Sequence, residues 1–264
     1  MAGSYQQCRD CAIFHAADFA PQMPIIHLMT PFPGRAVPML ILAFSAVFLP
    51  AAMIGQSIHI VDVSLSSLGA TPSSYSAFSE VASRFDVMAV DGVRDAGGVE
   101  KVLAGMDEGW EAAVSRGGSF GFLYCKRVQM VKELGMYPAK KDFAQPPYGA
   151  QFRLAGNRFA LNIVLCHVEQ KDLKSRAAEI AGLSSVYRYF ENLTGNRGIT
   201  LLLAAGLGDD REKAAQLLMA REDVMLLKAS GRVFASAALR WRIEKAGIGA
   251  STPPTAYVIL RTGK

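Results

Sequence analysis

The chain has 264 residues, 51% of them hydrophobic and 19% charged, with a formal net charge of +5. That composition excludes a disordered or low-complexity protein and leaves room for one large core. The basic excess is spread along the chain rather than gathered in a block, so it does not argue for nucleic-acid binding by itself.

The N-terminal part reads differently from the rest. Residues 1–28 precede Met29 and contain Cys8 and Cys11, a lone C-x-x-C with no second pair, which is weak support for zinc or redox chemistry. They read as a mis-called upstream start or a disordered extension. Met29 is followed by Arg35 and by the uncharged run VPMLILAFSAVFLPAAMI at 37–54, with small residues closing it near Gly55. A basic start, an apolar centre and a small-residue exit describe a secretory signal over 29–55. An uncleaved membrane anchor stays open beside it, since eighteen residues are barely enough to span a bilayer. Either assignment puts residues 56–264 in a secreted or periplasmic setting or at a membrane surface. Charges before residue 56 cancel (Arg9 and Arg35 against Asp10 and Asp18), so the remainder keeps the +5.

From residue 57 the elements follow in order. SIHIVDVSL (57–65) alternates like a strand, and SYSAFSEVASRF (74–85) has helical spacing with Ser73 or Ser74 as cap. DVMAV (86–90) is a short strand, and VEKVLAGM (99–106) a helix. Strands are predicted at 110–115, 119–125, 128–134, 148–155 and 158–168, the last two joined by the AGN turn at 155–157. The stretch 171–193 is a long amphipathic helix and 199–205 a strand, with a helix over 209–220 opening on acids that suit its N-terminus. Strands at 223–230 and 256–262 close the chain, with no firm assignment between them. This order suits an α+β fold in which two sheets pack face to face with helices outside, a four-layer αββα sandwich. The VYRYF stripe (186–190) and Trp241 read as core aromatics, and NLT (192–194) is a glycosylation pattern relevant only in a eukaryotic secretory host.

The local words are also suggestive. FDVMAVDGVRD (85–95), FGFLYCKRVQMV (120–131), PPYGAQFRLAGNRFALNIVLCHV (146–168), AEIAGLSSVYRYF (178–190) and LLLAAGLGDD (201–210) stand in sequence order. Together they resemble the endonuclease/exonuclease/phosphatase family, the fold of DNase I. The resemblance covers about 57–262 and implies metal-assisted phosphodiester cleavage. In that chemistry a divalent ion held by hard oxygen ligands polarises the phosphoryl oxygen, and a base activates water.

The resemblance also predicts that most of this equipment is missing. The family's metal-binding Glu falls on Gly92 and its first-strand Asn on Ser64. The Asp and Asn of its G-D-F-N motif fall on Ala205 and Leu207, and its Arg after F-L-Y falls on Cys125. Its terminal S-D-H would lie in TPPTA (252–256), which has neither Asp nor His. Asp91 is expected to face away from the position of the lost Glu, by strand alternation. Asp62 is expected to face the opposite way from Ser64's neighbours or to pair within its sheet. What remains is His167 and Asp209 as candidate catalytic residues, and Arg94, followed by Asp95, as a candidate phosphate ligand. No metal or other cofactor is expected. The implied hairpin brings the strands of Cys125 and Cys166 near one another, leaving a disulfide and two separate thiols both open.

Two functions follow. One is a family domain without catalysis, a pseudoenzyme that binds a phosphorylated ligand or a protein. The other is an active Mg²⁺- or Mn²⁺-dependent phosphodiesterase or nuclease that uses Asp91, His167 and Asp209 in a rearranged site.

Overall fold

The computed structural model describes residues 56–64, 82–93, 96–139, 142–169, 172–195, 199–220, 223–228, 230, 232–249 and 255–263. The extension, the apolar run at 37–54, most of the helix predicted over 74–85, and Arg94 and Asp95 lie outside them.

Twelve described strands form two six-stranded sheets. The first contains β1 (Ser57–Ser64), β2 (Val87–Asp91), β3 (Trp110–Val114), β4 (Phe120–Cys125), β11 (Ile243–Ile248) and β12 (Ala256–Arg261), in the order β11-β12-β1-β2-β4-β3. The second contains β5 (Val128–Met136), β6 (Tyr148–Leu154), β7 (Ala160–His167), β8 (Thr200–Ala205), β9 (Val224–Leu226) and β10 (Val233–Ser236), in the order β5-β6-β7-β8-β10-β9. Each sheet is antiparallel except at its centre, where β1 runs parallel to β2 and β7 parallel to β8.

Side-chain alternation builds the layers. Ile58 and Ile60 of β1 and Val87 and Ala89 of β2 meet Phe152, Ile163, Leu165, Leu201 and Leu203 of the second sheet in one buried cluster. The opposite parity, Val61, Val63, Met88 and Val90, packs under α1 (Ala96–Ala104) through Val99 and Val102. On the far side of the second sheet, Val164, Cys166, Leu202 and Ala204 pack under α2 (Leu173–Thr194) and α3 (Arg211–Met219). The result is the four-layer sandwich. The central strands are apolar on both faces because both faces are covered.

α2 has both of its stops written in the sequence. Asp172 accepts a hydrogen bond from the Ser175 N–H at 2.9 Å as N-cap, and Gly195 ends the helix at φ 60°. Val186, Tyr187 and Phe190 of the VYRYF stripe are buried under it, as the sequence suggests. Trp241 is not a core residue: it is 87% exposed, in the turn between a 3-10 segment (Ala237–Leu239) and β11. Among the described residues, Cys125 and Cys166 are both free. Cys166 points to the helix side of the second sheet, whereas Cys125 lies in the first sheet beside Asp86, 3.6 Å from its Oδ1.

Candidate functional site

The parallel pairs at the two sheet centres end on the same side of the sandwich. Asp91 is the last residue of β2 and His167 the last of β7. Crevices at the carboxyl ends of parallel strands are where such folds commonly bind ligands. Here His167 Nδ1 lies 3.1 Å from Asp91 Oδ2, a hydrogen bond that joins the two sheets. Asp91 therefore faces the space between the sheets, with Val87 and Ala89. The register counted from Gly92 misassigned its face, because Gly92 has φ 71° and lies past the end of the strand. Alternation holds within β2 and stops at the turn.

Asp62 also faces this space, sharing parity with Ile58 and Ile60. Arg232, just before β10 in the other sheet, places its Nε 2.9 Å from Asp62 Oδ2 and donates from NH2 to the Asp62 carbonyl oxygen at 3.1 Å. Asp62 thus pairs between sheets rather than within its own. Asp62 and Arg232 lie behind the Asp91–His167 pair, and together the four side chains tie the sheets together at the mouth. Sequence reasoning missed Arg232, since it sits in a stretch with no predicted element.

Burial pushes the Asp62 carboxyl up to about 6, with Asp91 adding to the shift and Arg232 opposing it. The hydrogen bond to Asp91 raises the His167 imidazole above its ordinary value, against the opposing pull of burial. Both groups therefore bind protons more tightly folded than unfolded. Their contributions to stability are largest at low pH and are lost as pH rises through the folded values. For Asp62 the loss runs from about pH 4 to above pH 6. Asp62→Asn should remove it: subtracting the variant's urea-unfolding profile from the wild type's should leave a difference that falls from pH 4 to pH 7. A flat difference would mean that burial does not disfavour this carboxylate.

The floor of the mouth is formed by the end of β8. Ala205 and Leu207 are buried, and Gly206 between them has φ 76°. Arg176 of α2 clasps this turn, donating from NH2 to the carbonyl oxygens of Gly206 (2.8 Å) and Leu207 (2.6 Å) and from Nε to Asp210 (2.6 Å). Arg176 is a second residue that the sequence reading passed over; its place in the first turn of a helix carried no signal for a partner thirty residues on. Asp209 lies in the short 3-10 turn Gly208–Asp210 ahead of α3 and makes no described contact with Asp91 or His167. Of Asp91, His167 and Asp209, the structure joins the first two. Arg94 lies outside the described residues.

The donor set does not fit a divalent ion. Mg²⁺ needs several hard, negatively charged oxygens. Asp62 already faces a guanidinium, one Asp91 oxygen is taken by His167, and the other, Oδ1, is buried and without a hydrogen-bond partner among the described residues. Among the described residues, no group of three His, Cys, Asp or Glu side chains converges as a metal-binding cluster. What the arrangement offers instead is an imidazole oriented by a buried carboxylate. A neutral ring would donate Nδ1–H to Asp91 and leave Nε2 as an acceptor; a protonated ring is a fixed cation facing the mouth.

The two-sheet sandwich with this strand order is the DNase I-like fold of endonuclease/exonuclease/phosphatase structures. Such a protein from Bacteroides thetaiotaomicron is similar at a TM-score of 0.58 and 10% identity, over 78% of this chain and 98% of that one. The mannosyl-6-phosphatase of the same organism is similar at 0.57 and 11% identity, over 77% and 98%. The human Nocturnin catalytic domain with a bound sulfate anion is similar at 0.52 and 11% identity, over 77% and 92%. No protein-family model and no curated protein matches the sequence.

Proposed function

We propose that this protein is a non-catalytic member of the endonuclease/exonuclease/phosphatase family that binds a phosphate-bearing ligand at the mouth between its sheets, without metal. One observation carries the reading. The β8 end, where the resemblance puts a metal-binding Asp and Asn, is a floor of buried Ala205 and Leu207, and Asp91, at the end of β2 in the other sheet, is committed to His167. A site built for Mg²⁺ keeps carboxylates free to displace water from the ion; this one spends its acids on an imidazole and a guanidinium. The hydrogen bond to Asp91 raises the His167 imidazole above its ordinary value, and when protonated the ring would present Nε2–H to a phosphate oxygen. The uncharged run at 37–54 supports exporting the domain or holding it at a membrane.

Inorganic phosphate and a sugar phosphate, titrated in the presence of EDTA, should test the binding reading. Saturable shifts of the His167 ring resonances are expected, and the binding heat measured by titration calorimetry should be lost in His167→Ala. Binding that appears only when Mg²⁺ is added would count against it, as would no binding at all.

A further inference from the structure

The opposite end of the sandwich carries a second surface. β1 runs from Ser57 to Ser64, so its start lies roughly 23 Å from the mouth. There the two ends of the domain meet: the Thr262 N–H and hydroxyl both donate to the Gln56 carbonyl oxygen at 2.7 Å, and Asn157 Nδ2 donates to the Thr262 hydroxyl oxygen at 3.2 Å. The turn bearing Trp241 belongs to the same group. Arg242 donates to the Arg261 and Thr262 carbonyl oxygens at 3.3 and 3.4 Å, and its guanidinium lies 4.4 Å from the centre of the Phe159 ring. Trp241, 87% exposed, stands in the chain between exposed Arg240 and this Arg242, and exposed Arg158 precedes Phe159.

We infer that this end is a membrane-docking face, on which Trp241 enters the headgroup region of an anionic phospholipid bilayer while Arg240 and Arg158 contact its phosphates. Two features point to a lipid surface. The chain enters the described domain at Gln56 through this face, two residues after the uncharged eighteen-residue run 37–54 ends. Were that run retained in a membrane, Gly55 alone would separate it from Gln56, which shares this end of the domain with Arg242, the neighbour of Trp241. The chemistry of the patch also suits the interface: an amphipathic indole prefers the headgroup level, and guanidinium groups beside it pair with phosphate. The geometry would leave the Asp91–His167 mouth facing away from the bilayer. The inference is independent of what that mouth binds.

The test uses the full chain reconstituted into vesicles of phosphatidylcholine containing a minor share of phosphatidylglycerol, with and without bromine high on the acyl chains. Trp110 and Trp241 both fluoresce, so the wild-type spectrum minus that of Trp241→Ser isolates Trp241. That difference emission should shift to the blue in vesicles and be lost in the brominated ones. Arg240→Glu should weaken the quenching in anionic vesicles and leave it unchanged in pure phosphatidylcholine. A difference emission that bromine does not quench, or that acrylamide in the water quenches as fully as in detergent, would overturn the inference. So would quenching by single-stranded DNA in place of lipid. Circular dichroism identical to wild type confirms that the exposed substitutions leave the fold intact.

Discussion

Gly206→Ala should destabilise the domain by about 3 kcal/mol or more, from two costs that add. The backbone has φ 76° there, a conformation that L side chains rarely adopt. An added Cβ would also stand 2.3 Å from the Val168 carbonyl oxygen and 3.3 Å from His167 Nε2. The first contact is with backbone that is itself fixed, because the Val168 N–H donates to the Ala205 carbonyl oxygen at 3.0 Å. Relief would require β7 and β8 to part at their ends, taking His167 from Asp91. Gly208→Ala is the matched control. It shares a positive φ, 52°, but its Cβ would meet nothing nearer than Arg176 NH2 at 3.8 Å, so it should cost only about 1 kcal/mol. Urea unfolding of both variants measures the difference. Equal costs would mean that backbone conformation alone, and not the close approach to His167 and Val168, fixes glycine at 206.

Phe152→Ala should cost about 3–5 kcal/mol. Phe152 is fully buried in the layer between the sheets, its ring 5.2 Å from that of Phe122 in an edge arrangement and 5.4 Å from that of Tyr124. Phe122 in turn stacks on Tyr148 at 5.5 Å. These rings come from β4 in one sheet and β6 in the other, so they set the spacing of the sheets by shape. Truncating the ring removes transfer energy and leaves a cavity that two hydrogen-bonded sheets cannot collapse around. Equilibrium unfolding in urea gives the number, and a loss under 1 kcal/mol would show that the sheets close over the gap.

The layers were legible because the core is periodic. Ile58, Ile60, Val61 and Val63 alternate between two buried clusters, and the hairpin at 155–157 is marked by its own turn residues. The elements between 230 and 250 were not legible for the opposite reason. β10 is only four residues long, and β11 is an edge strand bearing Glu244 and Lys245, with neither length nor alternation to mark it. Trp241 was misplaced because a large aromatic in an unassigned stretch defaults to the core, and nothing local distinguishes an exposed turn.

At the site, the strand ends were readable and the pairings were not. His167 and the apolar Ala205 and Leu207 could be placed by resemblance. The side of the strand on which Asp91 falls depends on where β2 stops, and a glycine at positive φ moved that boundary by one residue. The Asp62–Arg232 and Arg176–Asp210 pairs join residues 170 and 34 positions apart, and no periodicity within a segment can report such a contact.

On the proposed reading, the mouth binds phosphate without metal-assisted cleavage. This reading is tested most directly by plasmid nicking and by hydrolysis of bis-p-nitrophenyl phosphate, with Mg²⁺, with Mn²⁺ and with EDTA, using the folded wild type beside His167→Ala. No metal-dependent turnover above the level of the variant is expected. Metal-dependent turnover that disappears in His167→Ala would contradict the reading, and would mean that Asp91 and Asp62 release their partners to hold an ion.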